Sequence, residues 1–332
     1  MPQVSNSNPE WFTDLPNAIC LACQWEVVAA KPGNVHRSAD FPDVGLIDFL
    51  HSSLAVSHVA RRWVSVWSDP TVVIEPTFGR FILEAVRATR RLTPSNTNLG
   101  ICLLLGPLAE SWSRLSARSW ANGSSARPSL EQWRSQNESL ISAATVEQTR
   151  FIYAAIALAK PGGLGAVSEA DVAAAAELQT TDSVAHVMKL AADRDSIAAE
   201  FVSGYSVTFE RTVPSLLELL ASGCGLQWAI VGTYLRLLAD QPDTLIVRKV
   251  GHERAREVSV WARQLADSYF PAGLRDWAKA DREEECEQNL ANFDFALRSD
   301  GNRLNPGSTA DLIAAGLFVA LLSGGILLPV SW

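Results

Sequence analysis

The chemistry-bearing residues of this chain gather in five short loops with a common composition. They are Lys31-Pro32-Gly33-Asn34-Val35-His36-Arg37, Asn96-Thr97-Asn98-Leu99-Gly100, Pro161-Gly162-Gly163-Leu164-Gly165, Asp243 through Gly251 with Arg248-Lys249, and Asn305 through Asp311 with Ser308. Taken singly, each has an ordinary structural explanation. Pro-Gly pairs stop helices, and Asn fits caps and turns because its amide bonds nearby backbone groups. Together they pair helix-terminal backbone donors with charged or amide side chains. Free N–H groups at a helix start suit phosphate oxygens.

Several familiar sites are missing. There is no G-x-x-x-x-G-K-[ST], no G-x-G-x-x-G after a strand, no G-x-S-x-G and no H-E-x-x-H. Cys20 and Cys23 form a C-x-x-C inside an apolar helical pattern, without a second pair at zinc spacing. Helix packing is the expected role for both.

The elements that must position the loops are helical. Apolar periodicity marks Leu15–Ala30, Leu46–Trp67 and Leu99–Leu115. Ser129 with Gln132, and Thr145 with Gln148, have capping-box spacing. Ser168 with Asp171 is a weaker version. Pro214 suits the first residue of a helix. A last helix is expected after Asn305, capped by Ser308 or Thr309, with Asp311 in its first turn. The β-branched runs Thr71–Ile74 and Thr244–Val250 are too short to assign. Ser116–Pro128 reads as an exposed loop, and Asp276–Glu287 as a solvated helix face. The sum is an all-α protein, one multi-helix domain over residues 1–332, with polar loops at helix ends forming the site.

Composition agrees. The chain has 332 residues, 48% of them hydrophobic and 19% charged, enough for a substantial core. A net charge of −8 argues against nucleic acid as a partner. A local Lys and Arg cluster can still hold a phosphorylated small molecule. Five cysteines and no recognisable targeting segment point to the cytoplasm. The uncharged stretch Leu312–Trp332 is broken by Ser323-Gly324-Gly325, so a buried helix is expected there and no membrane span.

At the loops the sequence resembles the triphosphoribosyl-dephospho-CoA synthase family, in order from about Ala18 to Leu322. The matching segments are E-V-x-x-x-K-P-G-N-V-H-R from Glu26 to Arg37, Asn96–Gly100, Asp243-Thr244 with its basic residues, and Asn305–Leu312. The citrate lyase branch has K-P-G-L-V-D-R, N-T-H-K-G and D-T-N-x-x-x-R-G-G at the first three. Asn34, His36, Asn98, Leu99 and Leu245 are departures from it.

The resemblance implies a transferase that joins ribosyl C1 of ATP to a hydroxyl of dephospho-CoA, or of a related acceptor, and releases adenine. Positive charge develops on the sugar, so a carboxylate near C1 stabilises the transition state. Asp311 and Asp243 are the catalytic candidates, with His36 as an acid/base group. Lys31, Arg37, Arg248 and Lys249 would bind phosphates. Asn34, Asn96, Asn98, Asn305 and Ser308 would orient ribose or adenine, or simply cap turns. Mg²⁺ is expected as cofactor, on Asp243 and Asp311. A transferase with a different acceptor and a non-catalytic helical binding protein stay open as alternatives, as does a homodimer.

Overall fold

The computed structural model describes residues 14–69, 75–123, 126–159, 182–275, 277, 283–327 and 330–332. Thr71–Ile74, the Pro161–Gly165 loop, Ser168 with Asp171, and most of 276–282 lie outside them. Among the described residues there is no strand, and His36 and Ala39 form an isolated bridge.

The first half supplies α1 (Leu15–Val28), α2 (Leu46–Trp67), α3 (Phe78–Thr89), α4 (Leu99–Ala121), α5 (Leu130–Ser142) and α6 (Val146–Ala159). The second supplies α7 (Val184–Ala191), α8 (Ser196–Ser203), a π-helical turn at Thr208–Thr212, α9 (Val213–Ala221) and α10 (Leu226–Asp240). Then follow α11 (Thr244–Val250), α12 (His252–Tyr269), α13 (Glu283–Arg298) and α14 (Gly307–Leu322).

Helix α14 is the axis of the fold. It packs against α1, α4, the π turn and α8 through α11. From Ser308 to Leu322 every residue is buried except Asp311. A helix apolar on all sides belongs inside a large domain, which accounts for the uncharged stretch in the sequence. No described helix is long and apolar enough to cross a membrane.

Trp133 ties α5 to this axis. Its ring lies 4.4 Å from Trp112, 6.0 Å from Phe209 and 5.9 Å from Phe318 by centroid. Its indole N–H donates to Leu108 O at 3.1 Å and Ser111 Oγ at 3.0 Å. Truncating so large a buried side chain costs about 3–5 kcal/mol.

Local sequence signals were honoured unevenly. The Ser129–Gln132 capping box forms as expected. The Thr145–Gln148 box does not. Gln148 Oε1 instead accepts from the Gly79 and Arg80 amides at 3.0 and 3.3 Å, capping α3 from outside. Ser116–Pro128 is a loop only from Asn122, because nothing before Gly123 breaks the helix and α4 runs on to Ala121. Pro214 is the second residue of α9, which continues directly from the π turn. Thr244–Val250 is a helix, since Asp243 caps it at Leu245 and Ile246. All five cysteines are free; Cys23 is buried in the core, in keeping with a packing role, while Cys20 is partly buried, with its Sγ 3.8 Å from Ser53 Oγ.

Candidate functional site

Four of the five polar loops are described, and they converge on the N-terminal end of α14. Asn305 joins the last loop to the first. Its amide donates to Gly33 O at 2.8 Å and Asn34 Oδ1 at 3.0 Å. Asn34 donates in turn to the Tyr234 hydroxyl at 3.1 Å, and that hydroxyl donates to Pro32 O at 2.6 Å. Gly33 makes the turn at φ +78°, where a Cβ would sit 2.7 Å from Leu297 and 2.9 Å from Pro306. The outer side of this loop is held by α13: Asp294 accepts from the Gly33 amide at 2.7 Å, and Arg298 donates to Asn34 O.

Asp243 connects the fourth loop to the fifth. Oδ1 accepts from the Leu245 and Ile246 amides at 2.8 and 3.2 Å, and Oδ2 from the Thr309 amide and hydroxyl, both at 2.7 Å. Burial pushes its pKa up, against the pull of these donors. Thr244 Oγ1 extends the seam, accepting from the Ser196 amide at 3.2 Å and donating to Ser308 Oγ at 3.0 Å. The starts of α8, α11 and α14 therefore meet here.

Asp311 behaves differently. It lies in the second turn of α14, partly exposed, and among the described residues its carboxylate has no hydrogen bond or ion pair. The helix begins at Gly307 with Pro306 as its cap, and no side chain of its own caps it. Asp243 takes that part instead of Ser308 or Thr309. Asp311 leans on α4, where a Cβ on Gly100 would fall 2.0 Å from Oδ2. Burial raises its pKa well above the ordinary carboxylate range, and Glu26, Asp243 and Asp195 add to this while Arg248 opposes it.

The basic residues divide into two groups. Lys31 is fully buried: Nζ lies 2.9 Å from Glu26 Oε1 and donates to Glu26 O and to Ala29 O at 3.4 Å. Its ammonium is paired inside the protein and has no solvent exposure. Burial raises the Glu26 pKa and Lys31 offsets part of that rise. Arg248 pairs with Asp195 at 2.5 Å, leaving its buried Nε–H without a partner. Lys249 is half-buried, and desolvation lowers its pKa. Arg37 is exposed and has no partner among the described residues.

The other expected residues hold the frame. His36 is buried, its Nδ1 accepting from the Ser38 amide at 3.3 Å and its Nε2 lying 3.8 Å from Asp294. Burial works against the Asp294 charge, but His36, the Gly33 amide and Arg298 outweigh it and hold the group below the usual range. Asn96 caps α4 by accepting from the Leu99 amide at 3.1 Å. Asn98 donates to Thr89 Oγ1 at 3.2 Å and is buried. Asp195, Asp294 and Tyr234 have no motif or spacing that marks them in the sequence, and Glu26 and Gly100 figured only as motif letters. Glu26 alone carried a signal, being an acid inside an apolar helix.

Among the described residues no group of three or more His, Cys, Asp or Glu side chains is arranged to hold a metal ion. Asp243 and Asp311 do not form a prebuilt pair of ligands, because both Asp243 oxygens already accept from four donors.

Fold and site together define a class: a protein helical among its described residues, whose buried central helix partly exposes one carboxylate beside the start of α4 and within the field of Arg248. The chain belongs to the ATP:dephospho-CoA triphosphoribosyl transferase family, which it matches over residues 12–328. It is 30% identical over 115 residues to the 2-(5''-triphosphoribosyl)-3'-dephosphocoenzyme-A synthase of Pectobacterium atrosepticum. That stretch covers 35% of this chain and 33% of that relative, so the alignment spans a third of the relative's length. A crystal structure from Archaeoglobus fulgidus, described as a candidate triphosphoribosyl-dephospho-CoA synthase, has the same fold. Its TM-score is 0.57 at 23% identity, over 85% of this chain and 100% of that one.

Proposed function

We propose that the protein transfers the triphosphoribosyl group of ATP to a hydroxyl of dephospho-CoA and releases adenine. The observation that carries this reading is Asp311, a partly exposed carboxylate with no hydrogen bond or ion pair among the described residues, on a helix otherwise buried from Ser308 to Leu322. As the N-glycosidic bond breaks, positive charge develops at ribosyl C1, which the ionised form of the Asp311 carboxylate stabilises. The same group is suited to take the proton of the attacking hydroxyl, because its surroundings raise its proton affinity. The C1–N bond breaks, the C1–O bond forms, and adenine leaves with the bonding pair; the proton that Asp311 takes from the hydroxyl ends on adenine, which restores the carboxylate.

The triphosphate tail stays on the sugar and needs cations. Arg37 and Lys249, which have no side-chain partner among the described residues, are the cations for it, and Arg248 adds an Nε–H unpaired among the same residues. Lys31, with Glu26, supports the floor of the site. Asp243, Asn34, Asn305 and His36 set the loops in place. The donor set does not fit a resident metal, so we treat Mg²⁺ as arriving with ATP.

Incubation with ATP and Mg²⁺, with and without dephospho-CoA, tests the reading. Adenine release that depends on dephospho-CoA supports it. Release that depends on another hydroxyl compound redirects the acceptor, as the departures at Asn34, His36 and Asn98 would allow. No nucleotide binding at all would leave a non-catalytic helical protein. A cytoplasmic location and a homodimer are part of the same proposal, the latter tested by sedimentation.

A further inference from the structure

Gly100 is the second residue of α4, a helical position where Ala is favoured by about 1 kcal/mol. Its φ is not positive, so the backbone does not call for glycine. The neighbour across the gap does. A Cβ at this position would lie 2.0 Å from Asp311 Oδ2, 2.6 Å from Cγ and 3.1 Å from Oδ1. All three nearest atoms belong to one carboxylate. A Cβ here would therefore have to turn the Asp311 carboxylate away from the position it now holds. An Asp side chain has two torsions, and a helical backbone removes one of its χ1 wells.

We propose that Gly100 is a positioning residue for the reaction: its missing side chain leaves a notch in the first turn of α4 that aims the Asp311 carboxylate. The inference rests on the catalytic reading of Asp311. Its physical sense lies in the contrast with Asp243. Four donors orient Asp243 and in doing so satisfy its charge. A carboxylate aimed by shape keeps its lone pairs for a substrate. Gly106, six residues along the same helix, is the natural control. A Cβ there would meet only the apolar Ile82 side chain closely, at 2.7 and 2.8 Å.

The test compares Gly100→Ala and Gly106→Ala in the full chain. It uses adenine release, ATP affinity by calorimetry, thermal melting, and the NMR resonance of the Asp311 side-chain carboxyl carbon, identified by its loss in Asp311→Asn. Gly100→Ala is expected to shift that resonance and lower kcat about 100-fold, with ATP affinity kept within about threefold. Gly106→Ala is expected to melt lower while leaving the resonance in place and kcat within about threefold of wild type. An unshifted resonance in Gly100→Ala, or a kcat within about threefold of wild type, overturns the proposal. If the wild-type protein releases no adenine with any acceptor, the reaction assignment fails, and the resonance still decides whether the notch aims Asp311.

Discussion

Asp243 accepts from both the amide and the hydroxyl of Thr309, 66 residues further along the chain. The same side chain caps its own helix at Leu245 and Ile246. One buried carboxylate therefore closes two helix starts and fixes the angle at which α14 enters the core.

That double duty makes Asp243 a stability residue first. Asp243→Ala leaves buried donors unsatisfied and should destabilise the fold on the order of 3 kcal/mol. Asp243→Asn keeps one acceptor oxygen and should lose less. Urea unfolding ranks the two, and equal losses would refute the capping account.

Asp311→Asn should leave the fold intact and lower adenine release about 100- to 1000-fold, the cost of removing a group that stabilises developing charge. Melting temperature and a chromatographic adenine assay report the two halves separately. Full activity in this variant would remove Asp311 from the mechanism.

The same variant has a distinctive pH signature. The folded protein holds the Asp311 proton at pH values where the unfolded chain has already lost it. The folded state then binds more protons than the unfolded one, so this group's contribution to stability falls as pH rises above about 4. Asp311→Asn removes that loss. Its stability relative to wild type should grow from acid toward neutral pH, as read from urea midpoints at several pH values.

Lys31 and Glu26 test the buried pair. Lys31→Met strands a buried carboxylate and should cost about 3–5 kcal/mol, while Glu26→Gln in the same chain should restore much of it. A double-mutant cycle in urea measures the coupling. Additive losses would mean that the two side chains do not act as a pair.

Arg37 should behave in the opposite way. It is exposed and unpartnered among the described residues, so Arg37→Ala should barely change melting. If it meets the triphosphate, KM for ATP should rise about 10-fold, and less at high salt. An unchanged KM would take it out of the phosphate site.

Much of this was legible in the sequence. Leu46–Trp67 was bounded correctly by periodicity alone, and the uncharged stretch at Leu312 announced a buried helix. The motif order from Glu26 to Leu312 carried the family. Roles were harder. Lys31 and Asp243 have the residue types of ligands, yet one is paired inside the core and the other is a cap.

Local pattern determined the helices and the family because both depend on residues near one another in the chain. Which polar groups stay free depends on what the folded chain places opposite them. Gln148 capping α3, Asp294 holding Gly33, and Gly100 making room for Asp311 are contacts across 69, 261 and 211 positions. Hydrogen bonding and steric exclusion act through space, so the tertiary structure alone left Asp311 unpaired among the described residues and Asp243 spent.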